Sequence, residues 1–144
     1  MELVQKLIKK YGTNNPFRLC SALGYAVYHV PLTGVRGFFQ HYAHKNIVYL
    51  SSDLTEQEAA FVCAHEIGHA LLHGKVNTLY MATGTFLKTT PYEREADRFA
   101  ICLLYPDDTE LLPYCDCCID QISAALNLPQ QLCQWRCSQV SRWV

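Results

Sequence analysis

One long segment of the chain, residues 55–73, is apolar on almost every side of a helix instead of along one stripe. This pattern is typical of a buried central helix. Thr55 followed by Glu58 predicts a capping box at its start, and Gly74 stands where a glycine ends many helices. The apolar positions of the segment are Ala59, Ala60, Phe61, Val62, Cys63, Ala64, Ile67, Ala70, Leu71 and Leu72.

Shorter patterns flank this segment on both sides. Before it, runs rich in Tyr, Val and Ile predict three strands; after it, a second helix begins with Thr90 and Pro91 and ends before Pro106. The predicted fold class is α+β, with a small antiparallel sheet of about three strands packed on a helical core. The flanking elements are helices over 3–11 and 16–23, strands over 25–30, 34–40 and 46–51, and a helical C-terminal tail over 120–143.

The central helix carries His65, Glu66 and His69 in the spacing HExxH. Two histidines four residues apart lie on one face of a helix, so both imidazoles can bind a single divalent ion. Glu66 lies about 100° around the helix from His65, which is the position of the general base in a zinc hydrolase. The alternative is a core helix with hydrogen-bonded histidines, which leaves a glutamate in an apolar helix unexplained.

A catalytic zinc usually takes three protein ligands and leaves a position for water, so the second helix is expected to supply one. At about 100° per residue, Glu93 and Asp97 share a face, whereas Glu95 is predicted on the opposite side. We predict Glu93 as the third ligand of one Zn²⁺ ion and Asp97 as a carboxylate that orients a ligand histidine. Spacing alone leaves an alternative open, in which Glu93 completes a capping box with Thr90.

Other polar residues have simpler interpretations. His73 lies about 12 Å from His65 along a straight helix, so one ion cannot bind both outer histidines, and His73 is interpreted as a last-turn residue. The strand over 34–40 is a candidate for pairing with substrate backbone, with an ordinary hairpin as the alternative. Four loop residues are candidates for donating a hydrogen bond to an oxyanion: His41, Tyr42, His44 and Tyr80. The alternative for each is a solvated loop residue without a catalytic role.

Length and charge limit the remaining functions. The 144 residues are expected to form one domain, a metallopeptidase-like core over 1–106 with a helical extension over 107–144. A net charge of −1 and the lack of a spanning apolar run argue against nucleic acid and membrane as partners, and the lack of a signal-peptide pattern predicts a cytoplasmic protein. The tail resembles a DNA-binding helix-turn-helix in shape, but its acids outnumber Arg136 and Arg142.

The chain has eight cysteines. Without a secretory signal they are expected to be thiols, and Cys20, Cys63 and Cys102 are predicted to be small core residues. A second zinc site in the tail is an alternative, but CxCC does not match the usual CxxC spacing. The tail cysteines are Cys115, Cys117, Cys118, Cys133 and Cys137.

The two motifs together, HEIGHALLHG and EREADRFA, resemble the ImmA/IrrE family of metallopeptidases, whose pattern is HExxH followed by ExxA(N/D)xFA. The stretches LIKKYGTNNPFRLCSALG and VYLSSDLTEQEAAFVCAHE are similar to the same family, so the resemblance covers about the first three quarters of the chain. It implies that His65, His69 and Glu93 are the metal ligands and Glu66 the catalytic glutamate. The cysteines around residues 101–105 and in the tail depart from the family pattern and bear on substrate choice.

The expected activity is peptide-bond hydrolysis, in which zinc acidifies water and polarises the scissile carbonyl while Glu66 transfers the proton to the leaving amine. The resemblance implies a Cro/CI-like helix-turn-helix repressor of a prophage or conjugative element as the substrate. The alternative is a zinc-bearing regulatory or adaptor module that binds a repressor or toxin-antitoxin partner without cutting it.

Overall fold

The computed structural model describes residues 2–73 and 91–140. This part of the chain forms an α+β fold, which confirms the predicted class. Its helices are α1 (Glu2–Tyr11), α2 (Pro16–Leu23), α3 (Glu56–Leu72), α4 (Pro91–Leu104), α5 (Ile119–Leu126) and α6 (Gln130–Ser138), and its strands are β1 (Ala26–Val30), β2 (Gly37–Tyr42) and β3 (Lys45–Ser51). Two short 3₁₀ helices, Asp108–Glu110 and Leu112–Tyr114, connect α4 to α5.

The sheet is mixed, so the prediction of a purely antiparallel sheet is wrong. Its strand order is β1-β3-β2, with β2 and β3 antiparallel and β1 parallel to β3. The reason is that the β2–β3 hairpin inserts β3 between the first two strands. His41 and Tyr42, predicted in the connection, belong to β2, and the turn consists of Ala43 and His44, both with positive φ, as expected for a two-residue hairpin loop.

Helix α3 is the centre of the core, as its all-round apolar pattern predicts. The Thr55 hydroxyl accepts from the Glu58 amide while the Glu58 carboxylate accepts from the Thr55 amide, which confirms the capping box. Phe39, Val48 and Leu50 from the sheet are buried in the core that α3 shares. The cysteines predicted in the core, Cys20, Cys63 and Cys102, are buried and free.

Helices α3 and α4 approach closely because Gly68 has no side chain. A Cβ atom at Gly68 would lie 3.0 Å from Cδ1 and 3.2 Å from Cβ of Phe99, a buried residue of α4. The two helices run antiparallel, since His65 contacts Asp97 and His69 contacts Glu93. This close crossing places the second motif helix directly against the first.

The C-terminal tail is joined to the core by Arg136 of α6, which is 0% exposed. Its guanidinium donates to the Tyr105 carbonyl from Nε and Nη2, at 3.2 and 2.9 Å, and to Asp108 Oδ1 at 3.0 Å. Gln57 of α3 also donates to the Leu126 carbonyl, at 3.0 Å. The one tail arginine that the structure describes is therefore buried at a helix junction and cannot contact phosphates.

Among residues 2–73 and 91–140, no helix has the length and apolarity required to cross a membrane. Gly74, Tyr80 and Thr90, which the sequence singles out, lie outside these residues.

The Gly68–Phe99 crossing yields the first prediction. We expect Gly68→Val to lower the free energy of unfolding by about 2 kcal/mol, because the added methyl groups overpack the crossing. Adding Phe99→Leu should recover part of the loss, since the smaller side chain makes room. Urea denaturation measures both effects.

The control for this prediction is Ala60→Val, which puts the same β-branched residue on α3 away from the crossing. It should cost no more than the difference in helix propensity, about 0.6 kcal/mol. Equal losses for both valine variants, with no recovery by Phe99→Leu, would contradict the crossing as described.

Candidate metal centre

Three side chains from the two motif helices converge on one buried point. Nε2 of His65 and Nε2 of His69 lie 3.0 Å apart, and each lies 3.0 Å from a carboxylate oxygen of Glu93. Within the described part of the chain, these are the three residues whose donor atoms form a group suited to a metal ion, all within 4.8 Å of one another. The structure thus brings together the three residues that the sequence proposes as ligands.

The cluster is almost closed to solvent. His65 is 8% exposed, His69 1% and Glu93 4%. Burial lowers the pKa of the His65 imidazole, but hydrogen bonds to Asp97 and Glu93 outweigh that effect and raise the pKa to about 10. Burial raises the pKa of Glu93, but the hydrogen bonds from both histidines outweigh it and lower the pKa to about 2. The two groups therefore stabilise each other as an ion pair.

Asp97, one turn after Glu93 on α4, contacts the opposite side of the His65 ring. Its Oδ1 lies 2.7 Å from His65 Nδ1, whereas His65 Nε2 faces Glu93. A carboxylate at this position accepts the Nδ1 hydrogen and leaves the Nε2 lone pair available to a metal. This is the contact expected of Asp97 in the orienting role that the sequence proposes.

Glu95 departs from its predicted position. Helical spacing places it on the opposite side of α4 from Glu93, yet its Oε2 lies 3.0 Å from Nε2 of His73, the C-cap residue of α3. A long, flexible side chain near the start of α4 reaches a partner that the angle of its Cβ alone does not predict. His73 in turn contacts His69, with their Nδ1 atoms 3.0 Å apart. Neither contact was predicted from the sequence, although the HxxxH spacing of His69 and His73 places these two side chains next to each other on one helix face.

Glu66 is buried beside the cluster, with 2% exposure. It comes directly after His65 on α3, and its charge raises the pKa of the His65 imidazole. A carboxylate is costly to bury in an apolar helix. Its position so close to a group of metal-binding type supports a chemical role over a purely structural one.

The remaining candidates lie elsewhere or are not described. His41, Tyr42 and His44 are exposed at the tip of the hairpin, where His41 Nδ1 contacts Asn46 Oδ1 at 2.7 Å. Their role as oxyanion donors stays a prediction, as does that of Tyr80. The tail cysteines do not form a metal-binding group within the described residues, and Cys115 and Cys118 are exposed.

The donor set itself indicates the kind of ligand. Two imidazole nitrogens and one carboxylate oxygen are a set that zinc takes in hydrolases, with a further position left for water. The separation of about one turn between the histidines and the buried surroundings fit a single ion held between α3 and α4.

Comparison with known proteins adds a family. Residues 20–113 match Peptidase_M78, described as the IrrE N-terminal-like domain. "Uncharacterized immunity region protein 2" of Bacillus phage phi105 is 41% identical over 107 residues, which cover 72% of this chain and 66% of the phage protein, slightly less than two thirds. "Metallopeptidase ImmA" of Bacillus subtilis (strain 168) is 30% identical over 142 residues, which cover 95% of this chain and 83% of that protein.

The ion pair in the cluster predicts how the stability of the chelator-treated protein depends on pH. Because the pKa of His65 is raised in the folded protein, its protonation stabilises the fold. This stabilisation is complete below the pKa of the unfolded chain, about 6.5, and is lost as the pH rises towards about 10. Because the pKa of Glu93 is lowered, its ionised form also stabilises the fold. That stabilisation is complete above the ordinary pKa of 4.5 and is lost as the pH falls towards about 2.

Between about pH 6.5 and pH 9, we therefore expect the free energy of unfolding to fall, by up to about 1.4 kcal/mol per pH unit. Urea denaturation with a chelator present, at about pH 6 and about pH 9, measures the fall. The His65→Phe variant should lose most of this dependence. An equal slope in both proteins would refute the pairing.

Proposed function

The chain belongs to the ImmA/IrrE family, whose domain is Peptidase_M78, and from this membership and the geometry of the cluster we propose that it is a zinc-dependent endopeptidase. The observation that carries the proposal is the convergence of His65 Nε2, His69 Nε2 and the Glu93 carboxylate within 4.8 Å at a buried point. One name among its relatives, "Metallopeptidase ImmA", supports the same class of activity.

In this proposal one zinc ion is held by His65, His69 and Glu93. When bound, the ion supplies Lewis acidity that makes water acidic enough to react near neutral pH and polarises the scissile carbonyl. Asp97 keeps the His65 ring in the orientation and tautomer that ligation requires. The low solvent exposure of the cluster strengthens every charge interaction within it.

Glu66 acts as the general base and then as the general acid. Its carboxylate takes a proton from the attacking water and delivers it to the amine that leaves when the peptide bond breaks. The neighbouring charges support this role, because Glu66 is buried next to His65. A carboxylate held there in a water-poor setting can exchange protons without competition from bulk solvent.

The substrate we propose is a Cro/CI-like helix-turn-helix repressor of a prophage or conjugative element. The name of the phage relative refers to an immunity region, which supports a role related to phage immunity. The net charge of −1 and the buried Arg136 favour a protein substrate over direct contact with DNA.

A substrate could enter along β2. This strand is at an edge of the sheet, and a Cβ atom at its Gly37 would lie 2.7 Å from Val62 Cγ1 of α3, one turn before His65. An extended peptide that pairs with this edge would run beside the metal helix. This supports the strand over 34–40 as the substrate-binding edge.

The metal site predicts a pattern of zinc content. Purified protein should contain about one zinc per chain, and His65→Ala, His69→Ala and Glu93→Gln should each lose most of it. Glu93→Gln is the informative variant, because a glutamine still serves in a capping box whereas its neutral amide is a poor zinc ligand. Elemental analysis after dialysis measures the metal.

The control for the metal measurement is Arg94→Ala, an exposed position of the same helix, which should keep its zinc. Full zinc in Glu93→Gln would mean that Glu93 is a cap and that the third ligand is another residue. Wild-type protein without bound metal would refute the zinc proposal itself.

The catalytic role of Glu66 predicts a separate loss. We expect Glu66→Gln to cut a Cro/CI-like repressor of the proposed class at least about 100-fold more slowly than wild type does, while its zinc content stays at the wild-type level. Gel analysis of the purified repressor over time measures cleavage. If wild type binds the repressor but leaves it intact, and Glu66→Gln binds it equally well, the adaptor alternative is correct.

A further inference from the structure

The two histidines of the cluster receive different support on their outer nitrogens. Nδ1 of His65 faces the carboxylate of Asp97 directly, at 2.7 Å. Nδ1 of His69 faces another imidazole, His73, at 3.0 Å between the two Nδ1 atoms. A carboxylate only accepts hydrogen bonds, but a neutral imidazole nitrogen can be either donor or acceptor. The contact between the two rings therefore does not by itself determine which nitrogen carries the hydrogen.

Glu95 determines that direction. Its Oε2 lies 3.0 Å from Nε2 of His73, and because a carboxylate accepts, the hydrogen of His73 is on Nε2. In the neutral His73 ring Nδ1 then has a lone pair, which accepts from Nδ1–H of His69. When a metal ion occupies the cluster, the remaining nitrogen of His69, Nε2, has the lone pair that would bind it; without an ion this nitrogen faces Glu93 Oε1 at 3.0 Å.

We propose that His73 and Glu95 form a relay that holds His69 in the tautomer and orientation of a metal ligand, as Asp97 does for His65. The inference rests on the proposed metal site, because the hydrogen-bond directions at His69 are those of a ring whose Nε2 would bind an ion instead of facing Glu93 alone. His73 and Glu95 are positioning residues and are not ligands.

The surroundings of His73 suit this task. Its side chain is 3% exposed, whereas that of Glu95, which contacts it, is 57% exposed. The Tyr92 ring packs against the His73 ring edge to face, with centroids 4.6 Å apart. The ring is therefore held by packing on one side and by hydrogen bonds at both nitrogens.

The arrangement assigns a task to each acid in the first two turns of α4. Glu93 faces both cluster histidines, Asp97 orients His65, and Glu95 orients His69 through His73. His65 and His69 on α3 thus face the cluster, whereas His73, one turn further at the C-cap of this helix, supports His69.

The relay is tested by ¹⁵N NMR of the histidine rings in zinc-loaded protein, and by zinc affinity measured in competition with a chelator. In wild type we expect His73 to carry its hydrogen on Nε2 with Nδ1 bare, and His69 to carry one on Nδ1. In Glu95→Ala, which changes an exposed side chain, His73 should lose this preference and zinc affinity should fall several-fold.

A second pair of variants separates the hydrogen bond from packing. His73→Phe keeps a ring beside Tyr92 but removes the acceptor, so zinc should bind about 10- to 100-fold more weakly. His73→Asn, whose amide oxygen can accept near the position of Nδ1, should recover much of that loss. Arg94→Ala is the control and should match wild type in both measurements.

The outcomes distinguish the relay from the metal site. A His73 ring with its hydrogen on Nδ1, or zinc affinity unchanged in both Glu95→Ala and His73→Phe, would overturn the relay even if zinc binds. A protein that takes up no zinc would refute the proposed function and the relay with it, whereas a protein that binds zinc but fails either test would refute the relay alone.

Discussion

The site depends on one contact, the antiparallel crossing of α3 and α4. Helix α3 supplies the imidazoles and α4 the carboxylates, so neither helix alone contains the cluster. The mutual stabilisation of His65 and Glu93 requires that two buried, oppositely charged groups be held close, because burial by itself disfavours the charged form of each. The apolar core around α3 provides the necessary rigidity, and the chemistry follows from it.

Local features of this fold could be predicted from the sequence, because they are determined by neighbours along the chain. The capping box of α3, the limits of α2 and the buried character of α3 depend on residues within a turn or two of each other. The convergence of His65, His69 and Glu93 was also accessible, since two helical periodicities restrict which side chains can share a face. The roles of these residues in binding and catalysis stay predictions.

Features that depend on distant partners were harder to predict. The parallel pairing of β1 with β3 depends on which strand of the later β2–β3 hairpin packs beside β1, and the composition of the strands does not determine this. The contact between Glu95 and His73 depends on the length of a flexible side chain at a helix end, whereas an ideal helical angle describes only the direction of the Cβ atom. The burial of Arg136 likewise comes from the junction between α6 and the segment that follows α4.

Gly68 also acts on the choice of carboxylate. The donor groups repeat at intervals of one turn on both helices, with His65 and His69 on α3 and Glu93 and Asp97 on α4. A slide of about 5.4 Å along the crossing would exchange the two acids and place the shorter aspartate opposite His69. Such a slide would also remove Phe99 from its close contact with Gly68, so this contact favours the register in which Glu93 faces the histidine pair.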